Sequence, residues 1–154
     1  MAMPVMGDDR RPIVIANTPF SEDNGQFSPD GRWVAYQTDE SGRNEIVVQS
    51  FPNPSSKFQV STKGGAYPRW RADGYELYFI APDSKLMAAA MRSSASSLER
   101  DTPVPLFQTD VYTGVPYTQY AVSADGRFLI NQPVADPEPA PIRLILNWHP
   151  KDSK

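Results

Sequence analysis

The sequence predicts an all-β protein of the β-propeller architecture, with three four-stranded antiparallel blades in one chain. Three observations carry this. A turn pattern recurs three times at the spacing of propeller blades. Sixteen prolines among 154 residues oppose helix, because proline lacks an amide donor and its ring clashes with the preceding turn. The stretch after each turn is short and rich in β-branched and aromatic residues, as a strand requires.

The repeat is read directly from the residues. Gln26-Phe27-Ser28-Pro29-Asp30-Gly31-Arg32-Trp33-Val34-Ala35-Tyr36 is matched by Arg69-Trp70-Arg71-Ala72-Asp73-Gly74-Tyr75-Glu76-Leu77-Tyr78-Phe79, and again by Ala121-Val122-Ser123-Ala124-Asp125-Gly126-Arg127-Phe128-Leu129-Ile130. The aspartates stand 43 and 52 residues apart. Asp-Gly forms tight turns because Asp bonds nearby amides while Gly takes positive φ without a Cβ clash. Asp30, Gly31, Asp73, Gly74, Asp125 and Gly126 are therefore expected to be structural turn residues, one pair per blade.

The strands follow in order. Blade one spans 25–61, with strands at 33–38, 45–50 and 57–61 after a short inner strand and a polar hairpin loop at 39–44. Blade two spans 66–108, with strands at 67–71, 76–81, 85–92 and 104–108. Its long surface loop, 93–103, is the one place where a short helical turn is allowed, at 93–100. Blade three spans 117–148, with strands at 117–123 and 127–132 and a third from Ile142 to Trp148, after a protruding loop rich in proline and acid at 133–141. It lacks its outer strand. A lone outer strand from Arg11 to Ala16 precedes blade one. The half-propeller thus covers 11–149, between a disordered lead at 1–10 and a tail at 150–154. Three blades leave a propeller ring open. The spare strand Arg11 to Ala16 of one chain pairs with Ile142 to Trp148 of another, so the expected partner is a second copy.

Composition bounds the chemistry. Net charge is −3 with no basic run, which argues against nucleic-acid binding. No run approaches the 18 or so apolar residues of a membrane span. There is no cysteine and one histidine, His149, so disulfides, thiolate sites, a histidine-based triad or a common zinc site cannot form within one chain. No nucleophile elbow, Walker loop or dinucleotide fingerprint is present. The start lacks the cationic head and apolar run of a signal peptide. The chain reads as cytoplasmic as it stands, or extracytoplasmic if it is a piece of an exported protein.

The Phe-Ser-Pro-Asp-Gly-Arg-Trp-Val-Ala-Tyr segment resembles the WD-like repeat of TolB-type propellers, which also occurs in the sensor regions of some bacterial Ser/Thr kinases. Gly64-Gly65-Ala66-Tyr67-Pro68-Arg69-Trp70-Arg71-Ala72-Asp73-Gly74 is similar to the next blade of those regions. The ending Leu144-Ile145-Leu146-Asn147-Trp148 is similar to the end of such a propeller. Ala72 and Ala124 depart from the proline the motif prefers. The resemblance implies six blades in the complete ring and leaves the task open.

Candidate ligand-binding residues lie where loops would meet the channel: Glu22, Asp23 and Asn24 before the inner strand of blade one, and the aromatics Tyr67, Tyr112 and Tyr117. Most of the other aromatics are expected to pack between blades. Asp39 to Glu45 reads as a solvated hairpin, lacking the spacing of a calcium loop. The expected function is a binding or scaffold module for protein or peptide ligands, without catalysis, cofactor or metal. The alternatives are a metal-dependent, lactonase-like hydrolase with an acidic channel site, and a fragment of a larger sensor or translocation protein.

Overall fold

The computed structural model describes residues 1–4, 11–93, 97–115 and 117–132. These residues form an all-β structure with no helix among them. The first sheet is an antiparallel meander of β1 (Glu22–Phe27), β2 (Trp33–Thr38), β3 (Glu45–Ser50) and β4 (Lys57–Gln59), in that order. The second runs β5 (Ala66–Trp70), β6 (Glu76–Ile80), β7 (Lys85–Ser93). The far half of β7 then pairs β8 (Leu98–Arg100) and its near half pairs β9 (Val104–Gln108). The third is a hairpin of β10 (Tyr120–Val122) and β11 (Phe128–Ile130). No helix among the described residues is long and apolar enough to cross a membrane.

Several expectations need adjustment. β1 starts at Glu22 rather than 25. The loop expected at 93–103, with its allowance for a helical turn, instead contains strand β8. Its contacts hold it there: Leu98 is buried in the core, while the neighbouring acids Glu99 and Asp101 pair with Arg92. Arg11 to Ala16 is not a regular strand, because Ile13 makes one antiparallel bridge, to Ala2 in the expected disordered lead. The strand from Ile142 to Trp148, the loop at 133–141, His149 and the tail at 150–154 lie outside the described residues.

The three Asp-Gly turns share one mechanism. Gly31, Gly74 and Gly126 have φ of 68°, 78° and 83°, a region costly for residues with a Cβ. In each turn the glycine amide donates to the carbonyl three residues back, Ser28, Arg71 or Ser123. Asp30 accepts from the Arg32 amide at 3.1 Å and Asp73 from the Tyr75 amide at 2.9 Å. Ser28 and Ser123 bond the aspartate of their own turn. Arg71 replaces them in the second turn and clamps Asp73 at 2.8 Å. The third turn is one residue shorter: the paired residues enclose 123–127, against 28–33 and 71–76.

The sheets stack face to face in chain order. One face of the first sheet (Trp33, Ala35, Ile46, Val48) packs on Leu77, Phe79, Ala89 and Met91 of the second. The opposite face of the second (Tyr78, Ile80, Leu86, Ala88) packs on Tyr120, Val122, Phe128 and Ile130 of the third. Aromatic rings fill these contacts, as expected: Tyr78 meets Phe128 edge-to-face at 4.9 Å, and Phe107 meets it at 5.7 Å. Each buried aliphatic or aromatic side chain contributes about 1.5–3 kcal/mol. The inner strands touch their successors, β1 against β5 and β5 against β10.

Candidate functional site at the loop end of the stacked sheets

Antiparallel pairing divides the stack into two ends. The Asp-Gly turns occupy one. The other collects the segments leading into β1, β5 and β10 and the β2–β3 and β6–β7 turns. Cross-bonds knit this second end together. Ser21 and Asp39 exchange two bonds, at 2.9 and 3.4 Å. The Gly65 amide donates to the Asn44 carbonyl at 2.9 Å. Thr109 donates to the Ser84 carbonyl through both its amide, at 3.0 Å, and its hydroxyl, at 2.5 Å. A side chain at Gly64 (φ 95°) would place its Cβ 2.5 Å from the Pro82 ring, so only glycine permits this approach.

All six sequence-derived candidates lie at this end. Glu22 is half-buried and accepts from the Thr18 hydroxyl; Asp23 is exposed. Asn24 sits at a β-bulge between Asp23 and Gln26, with φ 56°. Tyr67 sits at the same kind of bulge, between Ala66 and Arg69, with φ 57°. Each stands six residues before the aspartate of its turn, so the bulge belongs to the repeat. A bulge re-aims the strand and its side chains. Asn tolerates the left-handed region; Tyr pays about 1–2 kcal/mol for it.

Tyr67 shows what holds that conformation. It is fully buried. Its amide donates to Gln37 of the first sheet at 3.3 Å, and its carbonyl accepts the Tyr120 hydroxyl of the third at 2.7 Å. Its own hydroxyl donates to the Val115 carbonyl at 2.6 Å. Burial pushes both phenols up from their ordinary pKa, Tyr120 strongly. Tyr67 is thus a tie between three sheets rather than an open platform. Tyr112 and Tyr117 are different: both are exposed, on the loop that Tyr67 anchors. The geometry therefore brings Asp23, Tyr112 and Tyr117 to one end as exposed groups, with Glu22 and Asn24 half-buried beside Asp23, and removes Tyr67 from the surface.

One residue of this end is not signalled by the sequence. Glu45, at the start of β3, is 1% exposed. Its carboxylate takes Arg43 Nε at 2.7 Å, the Gly64 amide at 3.0 Å and the Ser61 hydroxyl, while Ser61 Oγ also accepts the Ile46 amide at 2.7 Å. The knot ties the β2–β3 turn to the crossing from β4 to β5. The Asp39–Glu45 stretch is indeed a tight hairpin, turning on Gly42 (φ 87°). Among the described residues no group of three or more His, Asp or Glu side chains is placed to hold a metal ion.

No family model matches the chain, and no curated protein is significantly similar to it. Its functional reading rests on its own geometry.

Proposed function

We propose that this chain is half of a β-propeller and serves as a non-catalytic binding module, taking a protein or peptide ligand at the loop end through Asp23, Asn24, Tyr112 and Tyr117. The observation that supports this best is the face-to-face stacking of three sheets in chain order, inner strand beside inner strand, with exposed aromatics on loops anchored by a buried tyrosine. Rigid aromatics offer large contact area at low entropic cost, which suits recognition of a polypeptide. The ring closes with a second copy, at the segment 11–16 of one chain and the segment 142–148 of the other. A displayed-peptide selection against the wild-type protein tests the reading. Selected peptides should lose at least tenfold affinity when Tyr112 and Tyr117 are both replaced by alanine. Recovery of no binding peptide, or unchanged affinity in the double variant, would contradict it.

A further inference from the structure

The register of the three sheets gives the stack a direction. Val34, Leu77 and Phe128 occupy one position, each paired across its hairpin with Phe27, Trp70 and Val122 respectively. Leu77 faces back onto the first sheet and Phe128 faces back onto the second. The next residue along, Ala35, Tyr78 or Leu129, faces forward. Ala35 is covered by the second sheet and Tyr78 by the third. Leu129 is 76% exposed, beside Ala121 on a forward face that no other described residue covers.

At the opposite end, the hydrophobic residues packed on the backward face of the first sheet (Val34, Tyr36, Val47) are, among the described residues, Ile15, Ala16 and Phe51. The way Ile15 sits there is informative. It stands fifteen residues before Asp30, as Phe58 of β4 stands fifteen before Asp73. Phe58 packs against the cluster containing Leu77 and Phe79, and Ile15 packs against the equivalent Val34 and Tyr36. Gln49 of β3 holds it by donating to its carbonyl at 2.6 Å. Ile15 therefore occupies the place of an outer strand from a preceding sheet, without that sheet's inner strands. Their space is an open groove of about 660 Å³, lined by Val14, Phe27, Val34 and Tyr36, with Glu22 and Asp23 also in its wall. Phe27 is 49% exposed, whereas its equivalents Trp70 and Val122 are packed against clusters.

We infer that this groove is the seat of the β10–β11 hairpin of a second copy, with Leu129 entering beside Phe27. The inference rests on the half-propeller reading and adds to it which faces meet. The contact continues the stacking already made twice within the chain, forward face on backward face. A two-fold axis makes it twice more and leaves neither apolar face wet.

The chain has no cysteine, so the test is clean. Ala35 and Trp70, the equivalents of Leu129 and Phe27, share one cluster across the first contact. Leu129→Cys and Phe27→Cys chains, mixed and oxidised, should form a disulfide-linked species of about twice the 17.1 kDa chain mass. Neither variant alone should do so appreciably. Leu129→Asp should weaken self-association at least a hundredfold while leaving the circular dichroism spectrum unchanged. A wild-type dimer without the mixed disulfide, and indifferent to Leu129→Asp, would overturn the seat while sparing the half-propeller reading. A wild-type monomer would overturn both.

Discussion

The second and third sheets both open on an Asp-Gly hairpin, one residue tighter in the third, yet their fates differ. The second is covered on both faces: Leu77, Phe79, Ile80 and Leu86 are all at most 2% exposed. The third shows a buried Tyr120 on one face and a bare Leu129 on the other. The repeat prescribes an apolar residue at each position, but only a neighbouring sheet buries it. In a stacked repeat, stability is held in contacts between units more than in the units themselves.

The comparison is most sharply tested by truncating one position in both sheets. Leu77→Ala should cost about 2–5 kcal/mol, the usual loss for a fully buried leucine. Phe128→Ala, at the equivalent but half-buried position, should cost clearly less despite the larger side chain. Urea unfolding at low protein concentration measures both, and equal losses would break the comparison. Next in size is the knot between the first two sheets. Glu45→Ala strands the Gly64 amide and the Ser61 hydroxyl and should cost about 1–3 kcal/mol. An exposed partner of similar charge, Glu40, should cost less than about 0.5 kcal/mol when replaced by alanine. Urea unfolding that shows equal losses for the two would make the buried knot irrelevant.

The turns come third. Gly74→Val must place a β-branched residue at φ 78° and should destabilise by more than about 1 kcal/mol. Measured at low protein concentration, Gly126→Val should weigh less on the global transition, since among the described residues of one chain its sheet packs on one neighbour. A neutral Gly74→Val would discard the shared turn mechanism.

Acid sensitivity is the smallest effect. Bonds from Arg71 and the Tyr75 amide hold Asp73 below its ordinary pKa, and bonds from Ser123 and Arg127 do the same for Asp125. At Asp30 partial burial pulls upward, and bonds from Ser28 and Arg32 outweigh it. A carboxyl depressed on folding stabilises above the unfolded pKa, about 3.9 for Asp, and that contribution is lost as pH falls through the folded value. Replacing all three with Asn keeps the turn geometry and should flatten the decline in stability below about pH 4. An unaltered acid slope in thermal melts would remove these carboxylates from the account.

The sequence made the units legible and the connections less so. The strands at 33–38, 45–50 and 104–108 and the positive φ of all three turn glycines follow from local chemistry: alternation, β-branching and Asp-Gly. The shorter third turn does not, because Arg127-Phe128 aligns residue for residue with Arg32-Trp33 and only the pairing differs. Glu45 reads as one more acid in a polar hairpin; its partners Ser61 and Gly64 arrive from the crossing between β4 and β5. Tyr67 looks like a channel aromatic by position, and only its bonds to Gln37, Tyr120 and Val115 reveal a tie. Its equivalence to Asn24 was available in the repeat spacing. β8 was hidden because three residues are too few for a visible alternation.

Sedimentation equilibrium on the wild-type chain tests the central claim most directly. On the half-propeller proposal the chain, with one apolar face at each end that no described residue covers, should sediment as a dimer, at about twice 17.1 kDa, across the micromolar range. A stable species at the single-chain mass would contradict the account: it would leave Leu129 and the groove beside Phe27 exposed to water, and the stack would end where the chain's own sheets end.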